Sequence, residues 1–282
     1  MMNKFMAVLA VCFALCLGAV IYADVNGGLQ SAPTQAPDAV SRPPELVYFD
    51  EEDVTSVPEQ EQARTELLPS DISSMSMEDL FFAVEGEAPS NGELQLYLSS
   101  QTKIEDSRME FTALPEYATY LSGKAESKIA IRYGTFEFQV CTVHGNGLFP
   151  AIWLLPNSNV ALPEIDIYEA IGNDPDKFYG VMHYMEDDDR ARSFFEYEFP
   201  EDEIPESYRV RFEWYPDGMH WYLNGEKIYS ITEDVPEKDM YMMLNLAVGG
   251  RWAGAPGEDT VFPTVFTVDV LEFRPQRIIE RF

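Results

Sequence analysis

The chain has 282 residues, enough to bury a sizeable core in one large all-β domain or two small domains. Its 49 acidic and 19 basic residues give a formal net charge of -30, which repels phosphate backbones and anionic membrane surfaces. This charge argues against nucleic acid as a partner and, more weakly, against sulfated or uronic-acid polymers. If the partner is a polymer, we expect a neutral one.

The first segment has the composition of an export signal. Lys4 precedes an unbroken apolar run at residues 5–23, with small residues near its end. We interpret residues 1–23 as a secretory signal peptide cleaved near Ala23. The run is also long enough for an uncleaved signal anchor, and the residues before Cys12 are close to a bacterial lipid-anchor motif. Under each interpretation the rest of the chain is exported, either secreted or attached to the outer face of a membrane.

Cys141 is the one cysteine beyond this segment, because Cys12 and Cys16 lie inside it. An intrachain disulfide is therefore excluded in the mature chain. Cys141 lies in the apolar strand pattern FEFQVCTV. This pattern predicts a buried, unreactive thiol.

The composition changes twice before the main domain. Residues 24–44 are rich in Gly, Ser, Pro, Gln and Ala without a hydrophobic period, which predicts a low-complexity linker. Residues 45–282 are predicted to form one folded domain. After Gly92, runs rich in Val, Ile, Phe, Tyr and Trp alternate with turn residues, which is typical of antiparallel β-structure. We predict a two-sheet antiparallel β-sandwich of jelly-roll type with a concave cleft.

Two tight hairpins follow one another near residue 220. The alternating run SYRVRFEWY stops at a Pro-Asp-Gly turn at 216–218, and MHWYL turns at Asn224-Gly225 into EKIYSI. An Asn-Gly pair favours the type I′ turn, whose twist matches that of the flanking strands.

The most informative segment is EIDIYE at 164–169, which carries three carboxylates among apolar residues. Alternation along a strand places Glu164 and Asp166 on one face and would turn Glu169 to the apolar face. An ionised carboxylate there costs several kcal/mol. A β-bulge around Ile167 and Tyr168 removes this conflict by returning Glu169 to the acidic face.

Three carboxylates on one face fit the chemistry of glycoside hydrolysis. Close like charges raise one pKa while another stays low, and the reaction needs one carboxylic acid and one carboxylate. The alternative is a solvated outer face, which is common in a chain this acidic.

Segments on either side favour the catalytic interpretation, because the chain resembles glycoside hydrolase family 16, the laminarinase and lichenase group, over about residues 45–274. The segments that carry the resemblance are, in chain order, NGELQ at 91–95, SGK at 122–124, YGTFE at 133–137, FPAIW at 149–153, EIDIYE at 164–169, HY at 183–184 and LNLAVGGRWAGAP at 244–256.

The resemblance implies roles for four residues. Glu164 would be the nucleophile, and Glu169 the general acid that later acts as base. Asp166 would hydrogen-bond the nucleophile, and His183 would lie beside the acid/base. With three histidines in the chain and no clustered spacing, a catalytic zinc is not expected, and no cofactor is required.

The resemblance also implies a substrate cleft lined by aromatic and polar side chains. Aromatic rings there can stack on the apolar faces of sugars, whereas the alternative for the tryptophans is packing in the core. The predicted substrate-binding residues are Asn91, Glu137, Phe149, Trp153, Asn245, Arg251 and Trp252. A structural calcium, which the resemblance implies for many members, would take Asp269 and Glu51 as candidate ligands.

The expected activity is endo-hydrolysis of β-1,3-glucan or mixed-linkage β-1,3-1,4-glucan with retention, by a monomer. The bulged spacing of the acids resembles laminarinases and agarases, and the negative charge disfavours charged algal polymers. Three alternatives remain open: a β-glucan-recognition protein without turnover, an agarase-like enzyme, and a transglycosylase. Since such recognition proteins typically lose the catalytic glutamates, the presence of Glu164 and Glu169 favours an enzyme.

Overall fold

The computed structural model describes residues 66–72, 74–87, 91–158, 160–200, 203–258 and 260–282. The predicted signal at 1–23, the linker at 24–44 and the candidate calcium ligand Glu51 lie outside these residues. Within the described ranges, no helix has both the length and the apolar character needed to span a membrane.

The described residues are predominantly β-structure, as predicted. The strands are β1 (Glu66–Leu67), β2 (Phe81–Ala83), β3 (Gly86–Glu87), β4 (Gln95–Tyr97), β5 (Thr102–Glu105), β6 (Arg108–Glu116), β7 (Thr119–Ser122), β8 (Lys124–Cys141), β9 (Leu148–Pro156), β10 (Glu164–Glu169), β11 (Lys177–Glu186), β12 (Asp189–Glu198), β13 (Ser207–Tyr215), β14 (Gly218–Leu223), β15 (Glu226–Ile231), β16 (Met240–Val248) and β17 (Thr264–Glu280). Two one-turn helices, α1 (Pro69–Ile72) and α2 (Met77–Leu80), and a 3₁₀ turn at Ser99–Gln101 complete the elements.

The strands form two layers. The front sheet runs in spatial order β12, β11, β10, β9, β16 and the first half of β8. The back sheet runs β15, β14, β13, the second half of β8, β17, β6 and β5. Among the described strands, β4 and β7 form a parallel pair, and the other pairs are antiparallel.

Strand β8 passes from one sheet into the other at Tyr133 and Gly134. Its first half pairs with β16 and its second half with β13. The change falls where Tyr133 and Gly134 have φ values of 61° and 140°. A Cβ atom on Gly134 would lie 2.4 Å from the carbonyl oxygen of Arg274 on β17, so this close approach requires glycine.

The hydrophobic core lies between the two sheets. The rings of Tyr168 on β10 and Tyr208 on β13 are 6.2 Å apart, and the Trp221 indole on β14 donates a hydrogen bond to the Ile167 carbonyl at 3.1 Å. Strand β10 forms its ladders with β9 and β11, so its contacts with β13 and β14 join opposite layers. The predicted two-sheet β-sandwich is confirmed.

The two predicted hairpins are also present. Strands β13 and β14 pair up to Tyr215 and Gly218, and β14 pairs with β15 across Asn224 and Gly225. Both turn residues have positive φ, 50° and 90°, as a type I′ turn requires.

Cys141 ends β8 as a free thiol that is half-buried, less than the sequence predicted. Its sulfur accepts a hydrogen bond from the Thr267 amide at 3.1 Å. Burial raises the pKa of the Cys141 thiol, which keeps it protonated and unreactive.

Candidate active site

The predicted bulge is present in β10. Asp166 lies opposite Val181 on β11, and Glu169 lies opposite Tyr179. Three steps along β10 therefore match two steps along β11. The extra residue falls at Ile167 on the side of β9, where the register shifts between Asp166 and the residue two positions later.

The bulge separates apolar and acidic side chains. Ile165, Ile167 and Tyr168 are fully buried in the hydrophobic core. The Tyr168 ring stacks on Phe266 of β17 with ring centroids 5.9 Å apart. Because two successive residues point toward the back sheet, the next side chain, that of Glu169, points away from it.

The three carboxylates are nearly removed from water, with Glu164, Asp166 and Glu169 exposed by only 9%, 2% and 8%. Burial raises the pKa of Glu164 well above its usual value. The charge of Asp166 and a hydrogen bond with Asp166 add to this effect, and the charge of Arg190 opposes it. Burial likewise raises the pKa of Glu169. The charges of Asp166 and Glu164 raise it further, and the charge of Arg192 opposes the shift. A hydrogen bond between two carboxyl groups needs a proton on one of them.

His183 lies opposite Glu164 in the β10–β11 ladder, and its Nε2 is 3.3 Å from Oδ2 of Asp166. The sequence interpretation placed it beside the acid/base, Glu169. In the structure Asp166 lies beside its ring, and Tyr179 is the strand partner of Glu169.

Among the described residues, one group has the spacing of a metal site: one ligand atom from each of Glu164, Asp166 and His183 lies within 4.8 Å of the others. Burial and the charge of Asp166 raise the pKa of Glu164 in this group, so a cation would compete with a proton for that carboxylate.

The aromatic residues on β9 lie beside the acids. Ile152 is buried in the core, whereas Phe149 and Trp153 are half-buried on the opposite face. Trp153 is the direct strand partner of Asp166, and its indole Nε1 donates a hydrogen bond to Oδ1 of Asn245 at 2.8 Å. The structure thus brings three predicted substrate-binding residues onto the face of the acids.

Trp252 reaches the same face from the loop after β16. Its ring makes edge contacts with Phe149, at a centroid distance of 5.3 Å, and with Tyr179, at 4.8 Å. The loop leaves β16 at Gly249, whose φ is 85°, and a Cβ atom there would lie 2.6 Å from Leu94. Trp252 therefore borders the site next to Glu169, the strand partner of Tyr179.

Asn91 and Arg251 lie side by side at this border. The Arg251 amide donates a hydrogen bond to the Asn91 carbonyl at 3.2 Å, and the Arg251 side chain is exposed. The Asn91 side-chain oxygen is buried and has no hydrogen-bond partner among the described residues.

Glu137 does not reach the site, which corrects the prediction that it binds substrate. It lies in the second half of β8, opposite Arg211 of β13 and Glu272 of β17 in the back sheet. Its neighbours Phe136 and Phe138 are buried in the core, so Glu137 points to the outer face of the sandwich. The passage of β8 between the sheets, which alternation does not reveal, is the physical reason.

Sequence reasoning also missed charged residues near the acids. Arg190 and Arg192 lie on β12, and Arg192 is the strand partner of His183. No motif marks them; the only sequence signal is that they alternate on one face of the run DRARSF. Glu93, within the NGELQ stretch, accepts a hydrogen bond from Gln95 at 2.7 Å and forms a bridge with Gly249, where the loop that carries Trp252 begins.

The candidate calcium ligand Asp269 does not fit a cation. The Arg108 side chain donates hydrogen bonds to both carboxylate oxygens, from Nε at 2.7 Å and Nη2 at 2.8 Å. This bidentate ion pair occupies the donor atoms with a positive charge. Calcium needs six to eight oxygen ligands, which this pair does not supply.

Comparisons with known proteins agree with this geometry. The chain is 30% identical over 199 residues to glucan endo-1,3-beta-glucosidase A1 of Niallia circulans, an alignment that covers 58% of this chain and 29% of that relative. It is 27% identical to a beta-glucanase of Rhodothermus marinus, over 80% of this chain and 83% of that protein. The crystal structure of the laminarinase catalytic domain from Thermotoga maritima MSB8 superposes with a TM-score of 0.60 at 26% identity, over 68% of this chain and 91% of that domain. The sequence model of "Glycosyl hydrolases family 16" matches residues 84–262, more than half of the chain. The chain belongs to glycosyl hydrolases family 16.

Proposed function

We propose that the protein is an endo-acting β-glucanase that hydrolyses β-1,3-glucan or mixed-linkage β-1,3-1,4-glucan with retention at the anomeric carbon. The observation that carries the proposal is the bulge in β10, which gathers three buried carboxylates on one face beside an aromatic side chain. Family membership and the names of the two relatives, a glucan endo-1,3-beta-glucosidase and a beta-glucanase, support it.

In the first step Glu164 acts as the nucleophile and Glu169 as the general acid. The Glu164 carboxylate forms a bond to the anomeric carbon while the glycosidic C–O bond breaks. Glu169 transfers its proton to the departing oxygen. The raised pKa of Glu169 suits this role, because the group stays protonated at a pH where an ordinary glutamic acid is ionised.

In the second step water completes the reaction. Glu169, now ionised, takes a proton from the water as its oxygen attacks the anomeric carbon. The bond to Glu164 breaks, and both carboxyl groups return to their starting states. Two inversions at one carbon give net retention.

Asp166 assists through its hydrogen bond with Glu164. This hydrogen bond and the charge of Asp166 add to the effect of burial on the pKa of Glu164, so Asp166 tunes the charge of the nucleophile. His183, at 3.3 Å from Asp166, positions that carboxyl group.

The expected substrate is a neutral polysaccharide. A net charge of -30 repels anionic polymers, and Trp153 and Trp252 offer half-exposed rings to sugar faces. We further propose that the protein is monomeric and exported. The apolar run at residues 5–23 behind Lys4 supports export, and comparing medium and cell fractions with and without residues 1–23 tests it.

Incubation of the purified protein with laminarin, mixed-linkage glucan and agarose tests the activity. We expect new reducing ends from the first two polymers and none from agarose, with loss of release in Glu164→Ala. Binding without release, unchanged in Glu164→Ala, would identify a recognition protein instead. Release from agarose alone would overturn the substrate assignment.

A further inference from the structure

The ladders of the front sheet align side chains in rows across the strands. Trp153 on β9 is the strand partner of Asp166 on β10, which is the partner of Val181 on β11, which is the partner of Phe194 on β12. Directly opposed residues of antiparallel strands point to the same face. Trp153 and Phe194 therefore flank the central carboxylate in one row, on opposite sides.

The spacing of this row suits an extended sugar chain. Neighbouring strands lie about 4.8 Å apart, so the backbone at Trp153 is one strand from Asp166 and that at Phe194 is two strands away on the other side. A glycan lying along the row, with its cleaved bond over β10, would pass both aromatic rings.

Phe194 is exposed where its neighbour is not. The next residue, Phe195, packs against Trp221 in the core at a centroid distance of 5.8 Å, whereas Phe194 is 39% exposed on the face of the acids. The Arg192 guanidinium lies 5.2 Å from the centroid of the Phe194 ring. This cation–π contact orders the ring and places hydrogen-bond donors beside it.

We propose that Phe194 and Arg192 form a sugar-binding platform on the side of the cleaved bond opposite Trp153. Phe194 stacks on the apolar face of a pyranose ring, and Arg192 donates hydrogen bonds to its hydroxyl groups. The platform deepens the proposed glucanase function and rests on it. It specifies which part of the substrate β12 contacts and requires a chain that extends to both sides of the cleaved bond.

The test is the cleavage pattern of a reducing-end-labelled linear β-1,3-gluco-oligosaccharide of seven units in Phe194→Ala and Trp153→Ala. Loss of a subsite on one side lets the chain shift toward the other side. We expect the two substitutions to move the preferred cleavage position in opposite directions. Phe194→Ala should also lower kcat/KM roughly tenfold, as expected for an aromatic ring that no longer covers apolar surface.

Val265→Ala is the matched control, because Val265 is 40% exposed on β17 in the back sheet. Its cleavage pattern should equal that of the wild type. A pattern and kcat/KM in Phe194→Ala equal to those of the control, or a shift in the same direction as in Trp153→Ala, would overturn the platform.

Failure of the proposed function has a different signature, since the wild type would then release no labelled products. In that case calorimetric titration with the same oligosaccharide decides about the platform alone. Weaker binding by Phe194→Ala than by Val265→Ala supports the platform, and equal affinities overturn it.

Discussion

Acidic side chains occupy both outer faces of the sandwich, but their surroundings differ. On the back sheet, Glu213 accepts hydrogen bonds from Arg211 at 2.8 Å and from Tyr222 at 2.8 Å. Burial alone would raise the pKa of Glu213, yet these hydrogen bonds lower it overall. On the front sheet, the pKa of Glu164 and that of Glu169 are raised by burial and by neighbouring carboxyl groups.

The difference separates structural acids from reactive ones. Ion pairs on the back sheet neutralise their carboxylates and stabilise the ladder. The front sheet instead confines carboxyl groups whose charges oppose one another, an arrangement that does not favour folding and that acid/base chemistry requires. An acidic cluster in the sequence therefore acquires a function only through its neighbours in space.

The largest expected effect is on catalysis. Glu164→Gln and Glu169→Gln should each lower kcat roughly 10³-fold or more, because each removes a reacting group. The back-sheet control Glu213→Gln should change kcat less than about threefold. Reducing-end assays on laminarin provide the measurement, and comparable losses in all three variants would remove the distinction between the faces.

Asp166→Asn should lower kcat by about 10–100-fold and move the pH profile of kcat/KM to lower pH. The charge of Asp166 raises the pKa of Glu164 and of Glu169, so its removal lowers both values. A profile that keeps its position would show that Asp166 does not act on the other two acids.

Replacing an acid by glutamine should change the free energy of unfolding with opposite signs on the two faces. Because the folded-state pKa of Glu169 is raised, this group costs stability as the pH rises above the unfolded value of about 4.3. Glu169→Gln should therefore increase the free energy of unfolding at pH 7 by about 1 kcal/mol, with a smaller gain at pH 4.

Glu213 has a lowered pKa and stabilises above its unfolded value, so Glu213→Gln should destabilise at pH 7 and have less effect at pH 3. Urea unfolding of both variants across this pH range provides the comparison. A change of the same sign in the unfolding free energies of both variants at pH 7 would contradict this expectation.

A smaller shift is expected from Arg192, which the motifs did not reveal. Its charge lowers the pKa of Glu169, so Arg192→Gln should raise that pKa. Since Glu169 must be protonated in the first step, the basic limb of the kcat/KM profile should move to higher pH, by less than about one unit. The direction is opposite to that in Asp166→Asn, and a shift to lower pH would be inconsistent with this account.

The smallest effect concerns Asp269 of the back sheet, which Arg108 neutralises. Adding calcium to the wild type should leave Tm unchanged, and Arg108→Ala should lower Tm slightly. A calcium-dependent rise in the Tm of the wild type that disappears in Asp269→Asn would show that a cation displaces Arg108.

The sequence predicts local features of this molecule better than its tertiary ones. Alternation and turn residues give the sandwich class and the hairpin at Asn224 and Gly225. The position of the bulge follows from the cost of burying Glu169 in the core, and the structure has it there.

Features that depend on which sheet a strand enters were not predictable. Glu137 was expected in the cleft from the family resemblance, whereas β8 changes layer at Tyr133 and Gly134 and carries Glu137 into the back sheet. Arg192 was missed because it lies two strands from the catalytic segment, and the sequence of that segment does not indicate which charges lie near it in space. Asp269 was a candidate metal ligand, but Arg108, far away in sequence, lies beside it and pairs with its carboxylate.

The most direct test is covalent trapping. A 2-deoxy-2-fluoro-β-glucoside with an activated leaving group should form a glycosyl ester that is hydrolysed slowly, and peptide mass spectrometry locates the label. The account predicts one label on Glu164, and none after Glu164→Gln. Attachment to a different carboxylate, or turnover with inversion at the anomeric carbon, would contradict it.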